Sequence, residues 1–384
     1  MLKSAALVGL QVLGIAVGIC FTLYLTGGLV LTAFYDPQAS DDRATNVRLV
    51  IVTVAANRVR NALMETIAHT LANFSDYEIY CLLDEGADLE QEIRQMDNLN
   101  AVVVPESFDC DARAKGRAMQ YLIETVVAEE PDFWYAFIDD DNKILDDTFL
   151  YEIPYYEARG YRAMNPVLEP RRGDSVITYM ADHIRFVDDL TVYRLFTGVI
   201  GRPFLGFHGE LLCVRGDVLS SVGFDRESIV EDFAFALELV REGAKVWQSR
   251  TRVSILSPHD LSSFLKQRGR WYMGVNQYLA KAPRVSQAVV GLRMTTWSVA
   301  ITSSWAFIPL WISSYGIEIP LWIVGISFVG SIMYISTVGI GAVRIGGLHG
   351  VSLMLLVPVY ATLEHLVPIY ALWARQTDFV VIDK

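Results

Sequence analysis

Three clusters of residues in this 384-residue chain have the types and spacing to do chemistry. The first is Asp139, Asp140 and Asp141, consecutive carboxylates that follow the apolar run Trp134 to Ile138. Adjacent acids repel unless they share a cation. A hard divalent ion, Mg²⁺ or Mn²⁺, suits oxygen ligands and keeps positions open for substrate phosphates. The same tripeptide would also suit a solvated acidic turn. The second cluster is Glu231 and Asp232, where a helical pattern begins. One of them could act as a general base, but carboxylates at a helix N-terminus are favoured by the macrodipole in any case. The third is Gln267, Arg268, Gly269, Arg270 and Trp271. Two guanidiniums can grip a diphosphate bidentately, and an indole offers a flat face to a sugar ring. A basic amphipathic helix resting on anionic lipid head groups is the other reading of that stretch.

The elements around these clusters read as an α/β domain. Leu49 to Val54, Tyr77 to Leu83, Ala101 to Val104 and Trp134 to Ile138 are apolar strand patterns. Helical spacing separates them at Asn57 to Ala72 and Lys115 to Ala128. Such alternation predicts a mostly parallel sheet with crossover helices. The triple acid then lies at the C-terminal end of a strand, where open α/β sheets place their ligands. Farther on, the pattern predicts short strands at Leu211 to Val214 and Lys245 to Gln248, and helices at Glu231 to Glu242 and Leu261 to Leu279. The last mixes aromatic residues with Lys266, Arg268 and Arg270, as a helix at a membrane surface would.

Composition bounds the setting. The chain is 52% hydrophobic, yet its net charge is −12, which fits an acidic soluble part attached to membrane segments. The acidic balance argues against a nucleic-acid partner. Four cysteines (Cys20, Cys81, Cys110 and Cys213) show neither zinc nor disulfide spacing, as expected in a reducing compartment. Residues 4–35 carry no charge and predict an uncleaved anchor. Three more apolar runs, Met294 to Ile317, Ile319 to Val343 and Ile345 onward, predict about four transmembrane helices. Lys281, Arg284, Arg293 and Arg344 flank these runs, and the positive-inside rule places them, with the α/β domain, in the cytoplasm. The expected organisation is an anchor (1–35), a linker (36–46), a catalytic domain (47–260), an interfacial helix region (261–293), three C-terminal spans (294–373) and a tail (374–384).

Taken in order, the three clusters resemble those of the family 2 glycosyltransferases, with their GT-A nucleotide-sugar-binding fold. The family's metal-binding DxD is similar to Asp139, Asp140 and Asp141, its ED to Glu231 and Asp232, and its QxxRW to Gln267 through Trp271. The resemblance implies that Asp139 and Asp141 hold Mg²⁺ or Mn²⁺ and that Asp232 is the general base, with Glu231 orienting a neighbour. It implies nucleotide-sugar contacts from Thr53, Asn57, Asp84, Lys115, Asp139, Asp140, Gln267, Arg268 and Arg270, and acceptor contacts from Trp271, His208, Gly209 and Glu210. Local wording around Val230 to Leu237 and Phe264 to Gly274 is most similar to the egghead-type β-1,4-mannosyltransferases. That resemblance implies transfer of mannose from GDP-mannose to a glucosyl lipid, with inversion. Two rival expectations stand beside it: a processive cellulose, chitin or hyaluronan synthase using a UDP-hexose, and a non-catalytic membrane scaffold. The partners implied are the nucleotide-sugar donor, a lipid-linked acceptor and membrane lipids.

Overall fold

A computed structural model describes residues 2–53, 59–301 and 318–374. Its centre is an eight-stranded sheet made of β1 (Val47–Val52), β2 (Glu78–Asp84), β3 (Asn100–Val104), β4 (Trp134–Asp139), β5 (Lys143–Ile144), β6 (Tyr161–Arg171), β7 (Leu211–Arg215) and β8 (Lys245–Leu256). The spatial order is β3-β2-β1-β4-β7-β6-β8-β5. β3, β2, β1 and β4 run parallel, as the alternation predicted, whereas β7 lies antiparallel to both β4 and β6. The sheet is therefore mixed. β6 and the full length of β8 were not legible in the sequence, because polar residues such as Asn165, Gln248 and Thr251 interrupt their apolar runs.

Strand β4 shows why the sheet forms here. Trp134, Ala136 and Ile138 face one core, with Leu49, Ile51 and Trp247. Tyr135 and Phe137 face the other, with Val50, Val52 and Leu212. Burying each such apolar side chain contributes about 1.5–3 kcal/mol, and a strand buried on both faces reads as a continuous apolar run. Register pairs Val52 with Asp139, so the first acid stands beside the end of β1.

The helices are α1 (Leu2–Thr32), α2 (Arg60–Asn73), α3 (Glu90–Arg94), α4 (Lys115–Leu122), α5 (Thr148–Glu157), α6 (Val176–Asp188), α7 (Gly216–Val222), α8 (Glu231–Arg241), α9 (Leu261–Leu279), α10 (Arg284–Ile301), α11 (Leu321–Gly346) and α12 (Val357–Ala374). Wider π-type turns extend α4 over Ile123–Val127 and α6 over Asp189–Val199. The expected helix over Leu261 to Leu279 is α9, started by Asp260, whose side chain accepts from Ser263 N at 2.8 Å. α9 does not rest on a surface alone. Phe264, Gln267, Arg268 and Tyr272 are buried, and the helix packs between the α/β domain and the helices that follow.

Among the described residues, two segments are long and apolar enough to cross a membrane, Val8–Thr32 and Leu321–Leu356. They pack on each other. Gly330 N donates to Thr22 Oγ1 at 2.8 Å, and that hydroxyl donates to Ile326 O at 2.7 Å. Four spans were expected. Most of the run Met294 to Ile317 lies outside the described residues, and the last run breaks into a 3-10 segment, Gly347–Leu356, before α12.

β8 is anchored by a buried acid. Trp247 Nε1 donates to Glu152 Oε2 at 3.0 Å, and Arg250 N donates to Glu152 Oε1 at 3.2 Å. Replacing Glu152 by Ala leaves the buried Trp247 Nε1 without its acceptor, which costs about 1–3 kcal/mol, and also removes the acceptor of Arg250 N. Glu152→Gln keeps an acceptor and should lower the thermal midpoint of the solubilised protein less. Equal midpoints for the two variants would show that the carboxylate does not support β8.

Candidate active site

The site assembles around Lys115, the first residue of α4. The residue before it, Ala114, has φ +49°, a strained conformation for a side chain with a Cβ. From there the Lys115 ammonium pairs with Asp139 at the end of β4, lies 3.7 Å from Glu231 at the start of α8, and donates to Gly209 O at 3.3 Å. One cation thus joins two of the acidic clusters and the loop before β7. Burial alone would lower its pKa, but Asp139 and Glu231 more than offset this and hold it charged.

Burial pushes Asp139 up to about 7, against the pull of Lys115, with Glu210 and Asp141 adding to the rise. Asp141 and Asn142 are buried behind it. Their turn is pinned from outside, since Arg171 donates to Asp141 O at 2.8 Å and Thr66 to Asn142 O at 3.1 Å.

Asp232 is held by backbone. Gly209 N donates to its Oδ2 at 3.0 Å and Phe233 N to its Oδ1 at 2.7 Å. Burial, then the charge of Glu231, raises its pKa to about 6. A Cβ at Gly209 would lie 3.0 Å from Lys115 Nζ and 3.3 Å from Asp232 Oδ2, so any larger residue would crowd both side chains. Beside it, Glu210 pairs with Arg185. Burial would raise Glu210, but the Arg185 guanidinium holds it well below the usual carboxylate range. His208 is hydrogen-bonded to Asp189.

The third cluster divides. α9 comes close to the start of α8 at Gly274, where a Cβ would lie 2.8 Å from Val230. Arg270 Nη1 donates to Ile229 O at 3.3 Å, beside Glu231. Arg268 is turned away and buried, paired with Asp182 of α6 and, at 3.2 Å, with Glu364 of α12. The Trp271 ring lies between two guanidiniums, Arg268 at 4.4 Å and Arg185 at 4.8 Å from its centroid.

All three clusters line one cavity of about 1120 Å³, which continues between α1, α10, α11 and α12. Eight carboxylates and five Lys or Arg side chains line it. Lys115, Asp139 to Asp141, His208 to Glu210, Glu231, Asp232, Gln267, Arg268, Arg270 and Trp271 are all in its wall. Thr53 and Asp84 stand at the C-terminal ends of β1 and β2, beyond that wall. Thr53 Oγ1 is buried without a partner among the described residues, and Asp84 is half-exposed near Arg117. Asn57 lies outside the described residues. Sequence reasoning missed Asp182, Arg185 and Asp189. Their spacing of three and four along one helix was the available signal, but no recognisable motif contains them.

A model for a family described as glycosyl transferase family group 2 matches residues 134–363, which include the three clusters. No curated protein matches the sequence. Among solved structures, the mannosyltransferase PcManGT from Pyrobaculum calidifontis, in complex with GDP-Man and Mn²⁺, is similar over 94% of this chain and 100% of its own. Its identity is 14% and its TM-score 0.52. S. aureus TarS 1–349, in complex with UDP-GlcNAc, is similar over 88% of this chain and 95% of its own, at 11% identity and TM-score 0.39. At 14% identity the likeness to PcManGT is one of fold.

The buried Arg268 pairing gives a stability prediction. Removing one member of such a pair leaves an uncompensated charge and costs about 3–5 kcal/mol. Arg268→Ala should therefore lower the unfolding midpoint sharply, and Asp182→Ala should cost less in the Arg268→Ala background than alone. Additive losses in denaturation of the two single variants and the double variant would show that the pair is not coupled.

Proposed function

This chain belongs to glycosyl transferase family group 2 and is a glycosyltransferase, and from that membership we propose that it moves mannose from GDP-mannose to a lipid-linked acceptor, with inversion. The observation that carries this reading is the shared cavity, which holds both acidic clusters and Trp271 and runs on between apolar helices. A sugar head group at Trp271 and a hydrocarbon tail between α1 and α11 would occupy one continuous space.

Asp232 is the base in this reading. Its two backbone hydrogen bonds fix the carboxylate, and its raised pKa brings it nearer that of the hydroxyl it must deprotonate. Burial is the main cause of that rise, and the charge of Glu231, which also faces Lys115, adds to it. As Asp232 takes its proton, the acceptor hydroxyl oxygen bonds to the anomeric carbon and the bond to the departing nucleoside diphosphate breaks on the opposite face of the sugar, which inverts that centre. Arg270 and Gln267 would contact the diphosphate. Arg268 is the exception to the expected set. Its pairing with Asp182 and Glu364 suits a positioning role, holding Trp271 against Arg185. Thr53 and Asp84, at the ends of neighbouring strands, suit the nucleotide.

The donor set fits Mg²⁺ or Mn²⁺. Carboxylates outnumber cations in the cavity wall, and Asp139 and Asp141 are the residues that would hold the ion. No group of three His, Cys, Asp or Glu side chains among the described residues could hold a metal by itself. That suits an ion held by one or two carboxylates together with substrate phosphates. When bound, it would neutralise the departing diphosphate. GDP-mannose with Mn²⁺ is the first donor pair to test.

Membrane placement follows from charge. Arg344, in the last turn of α11, pairs with Glu169 at 3.3 Å, and Arg293 of α10 pairs with Asp188 at 2.6 Å. These two arginines, which flank the apolar runs, therefore lie on the same side as the catalytic domain, and the positive-inside rule supports a cytoplasmic domain.

Asp232→Asn should keep donor affinity and lose about 10²–10⁴ in transfer rate, measured with radiolabelled donor. In wild type, transfer should fall with acidity below about pH 6, as Asp232 takes up its proton. Glu231→Gln removes the charge that raises this pKa, so the acid limb should move to lower pH; an unmoved limb assigns the titration elsewhere.

Mass spectrometry of lipid extracts incubated with donor should show one hexose increment. A ladder of increments, or polymer formed without added lipid, would favour a processive synthase.

A further inference from the structure

The loop that brings Gly209 to Asp232 also carries His208, which is 8% exposed and lines the cavity. Its Nε2 is hydrogen-bonded to Asp189 Oδ1. A carboxylate at that nitrogen places the ring proton there in the neutral imidazole, which leaves Nδ1 as an acceptor. Asp189 is fully buried, and its other oxygen accepts from Leu168 N at 2.7 Å. It is the first residue of the π-type segment Asp189–Val199, a departure from α-helical spacing of the kind often found at functional sites.

The rest of the ring's surroundings are equally fixed. His208 N donates to Asn165 Oδ1 at 2.9 Å, and Asn165 is held by Gln248 at 2.9 Å. Tyr193 packs on the imidazole with ring centroids 4.3 Å apart. Groups from β6, β8 and the π-type segment thus set both the tautomer and the orientation of one ring in the cavity wall. A histidine that only pinned the loop would not need this, since its backbone amide already does so through Asn165.

Resting on the reading that Asp232 deprotonates an acceptor hydroxyl, we infer that the Asp189–His208 pair recognises the hydroxyl next to it. His208 Nδ1 accepts a hydrogen bond from the acceptor hydroxyl vicinal to the attacking one. The preferred acceptors are then hexosyl groups with that neighbouring hydroxyl free. His208 touches the acceptor, and Asp189 is a positioning residue that acts through it.

The test uses the full-length solubilised protein, labelled GDP-mannose, and octyl β-D-glucopyranoside with its monodeoxy analogues as acceptors. Wild type should lose about tenfold in kcat/KM for the analogue lacking the vicinal hydroxyl. In His208→Gln that penalty should shrink toward one, through a raised KM for the parent acceptor, with the donor KM unmoved. The penalty is a ratio within each variant, so a partly unfolded preparation does not alter it. Asp189→Asn leaves the imidazole in place but frees its tautomer, and should shrink the same penalty. It serves as the ratio test if His208→Gln turns over too slowly. An unchanged penalty in the variant measured, or a change in donor KM alone, overturns the inference. Wild-type transfer to no hexosyl acceptor would overturn the acceptor reading itself, and this inference with it.

Discussion

The site depends on one buried ammonium. Without Lys115, Asp139 from the sheet and Glu231 from α8 would stand across the cavity as unbalanced carboxylates, in a setting that disfavours charge. With it, the two acids come together, and the same nitrogen bonds Gly209 O to fix the loop whose amide holds Asp232. Three segments far apart in sequence are thereby set by one charge. The strained φ of Ala114 lies immediately before this residue.

A second set of charges couples the catalytic domain to the helices. Asp182 and Arg185 are three residues apart on α6, so their side chains share a face. One pairs with Arg268 and the other with Glu210, and the two guanidiniums flank Trp271. Arg268 also reaches Glu364 on α12. Shifts of α12 relative to the sheet would therefore be felt at the indole. An arginine that looks like a ligand in sequence is in this way part of the frame that sets where a ligand can lie.

What the sequence made legible follows the strength of local patterns. The strands buried on both faces, β1, β2 and β4, announce themselves as apolar runs, and the two acidic clusters fall at element ends, while Gln267 to Trp271 lies within α9. α9 was legible to its boundaries, because its aromatic and apolar residues repeat at helical spacing. β6 was not, since its polar residues are satisfied by long-range partners such as Gln248, and no local pattern reveals those. The same reason hid Arg185, Asp182 and Asp189. Their role comes from contacts 19 to 86 residues away in sequence. The division of labour between Arg268 and Arg270 was equally invisible. Two residues apart on a helix, they point about 200° apart, one into the protein and one toward α8.

The balance of charge bears on how a donor can enter. Lys115, Arg185, Arg268 and Arg293 each have a carboxylate partner within the protein. Much of the cavity's positive charge is thus already matched, while its wall holds eight carboxylates against five cations. A diphosphate brought into this space adds negative charge beside Asp139, Asp140 and Asp141, where burial makes repulsion stronger than in water. That is the electrostatic case for a donor that enters together with a divalent ion, and for a base whose proton affinity is raised by the same surplus of acid.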